Sequence, residues 1–246
     1  MPSNEEDCFK ISIKSLKKSV SHRTKVLILN NPNNPTGTVW DIEELQEIAS
    51  FTCEHNIMVI SDEIYEKLIF DNKKCVSIAS LPHMHERVIT VNGFSKSYAM
   101  TGWRIAYLAG QKKIVSQIAK INQHIATCTS SLSQCAALAA LNGPQQEICN
   151  MVKEYEERRN VLIKNVAHLN KMSIFTPQAT FYAFLNIKHL KISSLEAARM
   201  FLDKVGIAAV PGSAYGSSGE GYLRFCFTVP KEQIQEAIYR LKEKFS

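Results

Sequence analysis

The chain has 246 residues, of which 45% are hydrophobic and 21% are charged, and its net charge is +6. This composition is ordinary for a globular protein with one large core or two modest ones, and no basic or apolar run is long enough to indicate a nucleic-acid-binding arm or a membrane span. The seven scattered cysteines lack a C-x-x-C pair and indicate reduced thiols in a cytoplasmic protein, and no metal-ligand spacing is found among the cysteines or the seven histidines.

The first half of the chain alternates short apolar runs with amphipathic stretches. Four apolar runs predict buried strands, at residues 25–30, 57–61, 88–91 and 105–109. Between the first two runs, Asp41 and Glu44 have the spacing of a capping box and predict the start of a helix. Strands that alternate with helices are typical of an α/β fold with a mostly parallel sheet.

The second half of the chain is first helical and then mixed. Helical periodicity predicts helices at residues 114–125, 133–141, 145–169, 194–205 and 231–245. Strand-like runs occur at residues 180–187, 207–210 and 222–227. We therefore expect two domains, a sheet-containing domain over residues 1–143 and a smaller α+β domain over residues 144–246.

Polar residues follow the first two predicted strands, where open α/β sheets bind their ligands. Asn34 lies in the turn-rich segment 31–37 and can offer an amide to a ligand, although most Asn/Pro/Gly clusters are plain loops. Asp62 ends the second strand. A carboxylate there is costly unless it has a cationic or protonated partner or caps a helix.

A lysine and two arginines complete the set of candidate residues. Lys96 follows the third strand, and Arg104 follows it across a Gly-containing turn. A neutral lysine amine can hold an aldehyde cofactor as an imine, and an arginine fork matches a phosphate, although such a pair alone is more often surface charge. Arg224 lies inside an apolar strand, where it either binds a carboxylate or phosphate or pairs with a structural acid.

Six motifs occur along the chain in an order that resembles one enzyme family. They are N-N-P-N-N-P-T-G at 30–37, S-D-E-I-Y at 61–65, N-G-F-S-K-S-Y-A-M-T-G-W-R at 92–104, F-Y at 181–182, P-G-S-A-Y-G at 211–216 and Y-L-R-F at 222–225. In these the chain is similar, nearly end to end, to the class I aminotransferases of the pyridoxal-phosphate fold-type I superfamily, in the branch of the bacterial-type aspartate and prephenate aminotransferases. Each motif is modest alone, but six in register are highly specific.

The resemblance implies how the chain binds pyridoxal 5′-phosphate. Lys96 would be the catalytic residue and would form the aldimine with the cofactor. Asp62 would bind the protonated pyridine nitrogen, so that the ring can accept electrons. Asn34 and Tyr65 would hydrogen-bond the phenolic oxygen of the cofactor, and Arg104 would bind its phosphate.

The resemblance also implies an activity and an assembly. Arg224, together with Asn34, would bind the substrate carboxylate, and the enzyme would transfer an amino group between an L-amino acid and a 2-oxo acid. The full-length parent would be a homodimer. The Asn34–Pro35 peptide would be cis, which few X-Pro peptides are.

The N-terminal portion of this family is not recognisable in the chain, and Ala179 replaces a glycine that many relatives have. That portion supplies part of the phosphate site, a residue stacked on the cofactor ring and a tyrosine that reaches the neighbouring subunit. We therefore expect a fragment, a truncated gene model or an isoform with little activity. We also expect an exposed strand edge and an exposed apolar face.

Two alternative functions remain open on the sequence. One alternative is another fold-type I enzyme, such as a β-lyase or an aminocyclopropane-carboxylate-synthase-like enzyme, which would share the lysine, the aspartate and the arginines. The M-T-G-W-R sequence at 100–104 favours transamination over this alternative. A non-catalytic truncated subunit that associates with a full-length aminotransferase would retain the same residues. Aspartate, alanine, aromatic and prephenate-type amino donors all remain open.

Overall fold

The computed structural model describes residues 3–245, and its strands form two four-stranded sheets. The first sheet contains, in spatial order, β1 (Val26–Asn30), β2 (Met58–Asp62), β3 (Val88–Gly93) and β4 (Ala106–Ala109). The first three strands are parallel, and β4 is antiparallel to β3. The predicted α/β fold with a mostly parallel sheet is confirmed, and the carboxyl ends of β1, β2 and β3 meet at one edge.

Two helices belong to this part of the chain, α1 (Ile13–Ser19) and α2 (Ile42–Glu54). The side chain of Asp41 accepts a hydrogen bond from the Glu44 amide, and the Glu44 side chain accepts one from the Asp41 amide. The predicted capping box is therefore present. One face of α2 packs on the sheet in a core that includes Leu29, Leu45, Ile48, Val59 and Val88.

Three helices follow the first sheet: α3 (Lys112–Ala126), α4 (Ser131–Asn142) and α5 (Gln146–Val166). The last helix ends before the predicted residue 169. The Leu169 amide donates to the Val166 carbonyl, which is the tighter spacing that often closes a helix.

The second sheet is antiparallel and contains β5 (Ser173–Ile174), β6 (Tyr182–Asn186), β7 (Val210–Pro211) and β8 (Tyr222–Cys226), in the order β5-β6-β8-β7. The prediction of a strand over 207–210 was wrong for residues 207–209, because the strand that pairs with β8 is Val210–Pro211. The Ile207 amide instead donates to the Phe201 carbonyl and closes the end of the preceding helix.

Two helices cover the second sheet, α6 (Ser194–Val205) and α7 (Lys231–Phe245), both with the predicted bounds. Gly206 ends α6 in the left-handed region with a φ of +70°. A core of fully buried side chains joins these helices and α5 to the sheet, and it includes Val166, Leu185, Phe201, Leu223 and Leu241.

Large apolar side chains are exposed on β1 and on the helices beside the first sheet. Ile28 of the edge strand β1 is 72% exposed. Others lie on α3 and α4: Ile121, Ile125, Leu132, Leu138 and Leu141. The expected exposed edge and apolar face are confirmed. Across residues 3–245, no helix is both long enough and apolar enough to span a membrane.

A bidentate ion pair joins α5 to the turn at Asp71, in the connection between β2 and β3. Both terminal nitrogens of Arg159, which is 3% exposed, donate to the Asp71 carboxylate at 2.5 and 2.7 Å. These bonds hold the pKa of Asp71 below its ordinary value. The ionised carboxylate therefore stabilises the fold above its unfolded-state pKa of about 4, and the contribution is lost as the pH falls through the lower folded-state value.

We expect Asp71→Asn to lower the free energy of unfolding by about 1–3 kcal/mol at pH 7, because the buried Arg159 guanidinium loses a charged acceptor. The deficit relative to wild type should shrink as the pH falls through the folded-state pKa of Asp71, which lies below its ordinary value. Urea unfolding at pH 7, 5 and 3 measures this. Asp203→Asn, on the exposed face of α6, is the matched control, and an Asp71→Asn deficit independent of pH would contradict the account.

Candidate active site

The candidate residues come from the carboxyl edge of the first sheet and from the middle of the second. Asn34 lies in the loop after β1, Asp62 ends β2, and Lys96 follows β3. Arg224 is the central residue of β8, where it pairs in register with Phe184 of β6. The two sheets therefore supply different parts of one site.

The loop after β1 presents the Asn34 side chain to the second sheet. The Asn34 amide donates to Asn30 Oδ1 at 2.8 Å, which fixes the loop to the end of the strand. The Asn34–Pro35 peptide is cis, as the resemblance predicts, and so is the peptide at 31–32. Across the cleft, Asn34 Oδ1 accepts a hydrogen bond from Arg224 Nη1 at 3.0 Å.

Gly37 closes this loop in a conformation that other residues adopt at a cost. Its φ is +72°, and a Cβ there would lie 2.4 Å from Pro177 Cβ and 2.9 Å from the Ala179 carbonyl oxygen. We expect Gly37→Ala to destabilise the protein by at least about 2 kcal/mol, from the left-handed backbone and the clash together. Gly102→Ala, whose Cβ would meet nothing within 4 Å, is the control. Equal unfolding midpoints in urea for the two variants would refute this expectation.

Arg224 is held between two aromatic rings. Its guanidinium carbon lies 4.1 Å from the ring centroid of Tyr182 and 5.4 Å from that of Tyr215. While Nη1 donates to Asn34, the Nε atom is buried and has no hydrogen-bond partner among the described residues. A buried donor without a partner is costly, and an anionic ligand would satisfy it with charge-assisted hydrogen bonds.

Lys96 is half-buried beside two other aromatic rings. Its Nζ lies 5.5 Å from the ring centroid of Phe181 and 5.9 Å from that of Tyr65. No residue between 3 and 245 donates to this amine, accepts from it or forms an ion pair with it. The amine is therefore free to react with a ligand in an environment that is partly shielded from water.

Tyr65 lies between the charged members of the site. It is 3% exposed, and its ring packs edge-on against the rings of Phe181 and Tyr182. Burial raises the pKa of its hydroxyl, the neighbouring Tyr182 and Asp62 raise it further, and Arg224 opposes the rise. The hydroxyl is therefore protonated at neutral pH and can donate a hydrogen bond.

Asp62 is partly exposed at the end of β2, and Glu63 is buried beside it. Asp62 Oδ1 accepts a hydrogen bond from the Ile64 amide at 3.2 Å, a local turn contact, and the expected cationic partner is absent from the described residues. Glu63 is 4% exposed, and its Oε1 accepts hydrogen bonds from the hydroxyls of Ser61 and Ser77. Burial raises the pKa of Glu63 despite these two bonds.

Arg104 lies on the surface and is not joined to the other candidates. It has a left-handed φ of +51° after the short turn of helix at Thr101–Trp103. Its Nη1 donates to the Thr101 carbonyl at 2.8 Å. Within the described part of the chain, its guanidinium makes no further hydrogen bond or ion pair.

The structure adds site residues to which the sequence gave no role. The rings of Tyr182 and Tyr215 enclose Arg224, and Glu63 is more deeply buried than Asp62. Residues 181–182 and 215 lie in motifs of the resemblance, so those motifs were the available signal. For Glu63, the signal is its place in a buried stretch with serines nearby in sequence.

The arrangement fits a carbonyl cofactor and a carboxylate substrate. The Lys96 amine is a nucleophile without a partner in the described chain, and the buried Arg224 Nε is a donor without one. An electrophilic aldehyde would satisfy the first and a carboxylate the second. The residues present therefore fit pyridoxal 5′-phosphate together with an amino acid, and no group of three or more potential metal ligands occurs in residues 3–245.

Comparison with known proteins gives a consistent match along the chain. The sequence model of the family described as "Aminotransferase class I and II" matches residues 1–241. The chain is 42% identical over 247 aligned positions to "Aromatic-amino-acid aminotransferase 2" of Thermococcus litoralis, covering 99% of this chain and 63% of that protein. It is also 42% identical to an aspartate aminotransferase of Pyrococcus abyssi, with the same coverage.

Solved structures give the same result for the fold. The crystal structure of an aromatic aminotransferase from Pyrococcus horikoshii superposes with a TM-score of 0.96 and 40% identity, covering 99% of this chain and 65% of that one. An aspartate aminotransferase from Thermus thermophilus superposes with a TM-score of 0.92 at 29% identity. The chain thus spans about 63% of the length of the curated relatives it matches.

Proposed function

The chain belongs to the family of class I and II aminotransferases, and from this premise we propose that it binds pyridoxal 5′-phosphate at Lys96 and transfers an amino group between an L-amino acid and a 2-oxo acid. One observation carries the proposal. Within residues 3–245 the Lys96 amine and the Arg224 Nε have no hydrogen-bond partner, and both groups lie beside one pair of contacting rings: Lys96 Nζ is 5.9 Å from the Tyr65 ring centroid, the Arg224 guanidinium carbon is 4.1 Å from that of Tyr182, and the two centroids are 6.1 Å apart.

Arg224 and Asn34 are the proposed binding site for the substrate carboxylate. The rings of Tyr182 and Tyr215 restrict the guanidinium, so that little side-chain entropy is lost when a carboxylate binds. The Asn34 side chain fixes one nitrogen of the fork and leaves the remaining donors for the ligand. Holding the carboxylate in this way orients the substrate Cα–H bond toward the other sheet.

Lys96 is the proposed general base, which moves the proton at the substrate Cα. Its partly shielded position and the absence of a hydrogen bond or ion pair to it within the described chain leave the Lys96 nitrogen available to a ligand. When bound, pyridoxal phosphate supplies the carbonyl for covalent attachment and a ring that accepts electrons.

Four residues are proposed to hold the cofactor besides Lys96. Asp62 would accept a hydrogen bond from the ring nitrogen, and Asn34 and Tyr65 would hydrogen-bond the phenolic oxygen. Arg104 would bind the phosphate with its exposed fork. The Arg104 guanidinium is exposed, and within residues 3–245 its one hydrogen bond is to the Thr101 carbonyl, so little holds it in place for a phosphate. We therefore expect residues 1–246 alone to capture the cofactor weakly and to turn over slowly.

The remaining assignments are proposed at the level of the family. The large domain comprises residues 1–143 and the small domain residues 144–246. The full-length parent forms a homodimer, a proposal that the exposed apolar side chains of α3 and α4 support. A cytoplasmic location agrees with seven free cysteines.

An exchange assay tests the reaction type. The protein is incubated with pyridoxal phosphate, an L-amino acid and 2-oxoglutarate, with aspartate, alanine and phenylalanine as separate donors. We expect glutamate to form in proportion to the 2-oxo acid of the donor, without release of ammonia. A separate incubation with cystathionine, which carries a thiolate leaving group on Cβ, tests the alternative: release of homocysteine, pyruvate and ammonia without formation of glutamate would establish a β-lyase instead.

A further inference from the structure

We propose that Lys67, Tyr98 and Gln145 form a positioning network that holds the loop of Lys96 against the turn of Tyr65, an inference that rests on the proposed function. None of the three residues is assigned a contact with the cofactor or the substrate. Their side chains are hydrogen-bonded to one another, and Lys67 and Tyr98 lie two residues after the candidate residues Tyr65 and Lys96, respectively.

The contacts of this network are direct. Lys67 Nζ donates to Tyr98 Oη at 2.8 Å and to Gln145 Oε1 at 3.2 Å. Tyr98 Oη donates in turn to Gln145 Oε1 at 3.3 Å, and the ammonium also lies 4.9 Å from the ring centroid of Tyr98. Lys67 Nζ, Tyr98 Oη and Gln145 Oε1 are each hydrogen-bonded to the other two, so the three side chains have one preferred arrangement.

The network joins the two segments that carry the candidate residues. Residues 61–67 contain Asp62 and Tyr65, and residues 94–104 contain Lys96 and Arg104. In the described chain, the Lys67–Tyr98 bond is the one side-chain hydrogen bond between these segments. Lys67 lies two residues after Tyr65, and Tyr98 lies two residues after Lys96. A change at the Lys67–Tyr98 bond therefore alters the distance between the Lys96 amine and the Tyr65 ring.

Gln145 anchors the network to the helical part of the chain. Its Nε2 donates to the carbonyl oxygens of Ala140 and Gly143 at 3.0 and 2.8 Å, so the amide is fixed at the junction between α4 and α5. α5 contributes Leu162 and Val166 to the core of the second sheet. The network therefore connects the Lys96 loop to α5, the helix that packs on the sheet containing Arg224.

Tyr107 provides a matched control for Tyr98. Both rings pack on Phe94, with centroid distances of 5.3 Å for Tyr98 and 5.9 Å for Tyr107. The hydroxyl of Tyr98 is in the network, whereas the hydroxyl of Tyr107 makes no hydrogen bond to another described residue. Tyr98→Phe and Tyr107→Phe therefore remove the same atom from two similar rings, and only the first breaks the network.

The first measurement is the reactivity of Lys96. Wild type and both variants are incubated with pyridoxal phosphate, reduced with borohydride and digested, and the rate of Lys96 labelling is measured by mass spectrometry. We expect Tyr98→Phe to lower this rate by about tenfold or more, since a misplacement near 1 Å has effects of that order or larger. Tyr107→Phe should leave it within about twofold, and both variants should show a cooperative unfolding transition.

The second measurement tests the role of Lys67. Lys67→Met should slow labelling as Tyr98→Phe does, and the double variant Lys67→Met/Tyr98→Phe should be no slower than either single variant, because both break one unit. Lys67→Arg keeps a cationic donor of similar reach and should restore labelling to within about threefold of wild type. Additive effects of the two single variants would contradict a shared network.

A cofactor-free measurement separates this inference from the proposed function. Acetic anhydride labels lysines without a phosphate-directed step, and the exposed Lys120 of α3 is an internal reference. The Lys96-to-Lys120 ratio should change at least about threefold in Tyr98→Phe and not in Tyr107→Phe. If wild type does not capture pyridoxal phosphate, the proposed function fails and this ratio still decides on the network. An equal ratio in the two variants overturns the positioning role.

Discussion

Lys96→Ala will abolish covalent capture of pyridoxal phosphate and lower aminotransferase activity by about 10²–10⁴-fold, the usual contribution of a general base. The amine makes no hydrogen bond or ion pair to another described residue, and Lys96 is the one lysine among the candidate residues, so removing it removes the proposed attachment point. Because no such bond is lost, the free energy of unfolding should change by less than about 1 kcal/mol. Single-turnover exchange with a labelled amino acid measures the activity.

Lys120→Ala is the control for Lys96→Ala, because it removes a lysine from the exposed face of α3. Activity and capture should be unchanged in this variant. A Lys96→Ala protein that still exchanges the amino group at more than a tenth of the wild-type rate would disprove the assignment of Lys96 as the base.

Arg224→Leu will lower kcat/KM for every amino-acid and 2-oxo-acid substrate by about 10²–10³-fold, with most of the loss in KM. The substitution removes the fork that would bind the carboxylate and leaves Asn34 Oδ1 without its donor. It also leaves the rings of Tyr182 and Tyr215 without the cation between them. Steady-state kinetics with two unrelated donors measures the effect, which should be similar for both because all substrates share the carboxylate.

Two further variants make the Arg224 experiment specific. Arg224→Lys keeps the charge but not the fork and should retain an intermediate kcat/KM, about tenfold below wild type. Arg158→Leu removes another arginine stacked on a tyrosine, since its guanidinium carbon lies 5.6 Å from the Tyr155 ring centroid. That variant should leave KM unchanged. A loss confined to kcat in Arg224→Leu would be inconsistent with carboxylate binding.

Most of the fold could be predicted because its local signals agree with its global pattern. The Asp41–Glu44 spacing predicts a helix start that is present, and the helix predicted over 194–205 has the predicted bounds. The failure at residues 207–210 has a physical reason that periodicity does not reveal. The backbone amides of an apolar run after a helix can donate to the last carbonyl oxygens of that helix instead of pairing in a sheet, as the Ile207 amide does.

The sequence predicts the location of those candidate residues that directly follow an apolar strand. Asn34, Asp62 and Lys96 lie at the carboxyl edge of the first sheet, as their positions after apolar runs predict. The bond between Asn34 and Arg224 joins residues that are far apart in sequence, so spacing could not reveal it. Their roles toward cofactor and substrate stay predictions.

The aromatic environment of the site could not be derived from spacing. Tyr182 and Tyr215 come from different elements, and their stacking on Arg224 depends on how β6, β8 and the turn after β7 meet. The Lys67–Tyr98–Gln145 network is hidden for the same reason, because each member is an ordinary surface residue by its local sequence. Tertiary contacts of this kind set the geometry that motifs only indicate.

The site of covalent cofactor capture shows whether Lys96 is the residue that binds the aldehyde. Residues 1–246 are incubated with limiting pyridoxal phosphate at neutral pH, reduced with borohydride and mapped by peptide mass spectrometry across all lysines. The account predicts that the reduced adduct is concentrated on Lys96, at more than about ten times the level on the exposed Lys120. Labelling that follows exposure, with Lys96 no higher than Lys120, would contradict it.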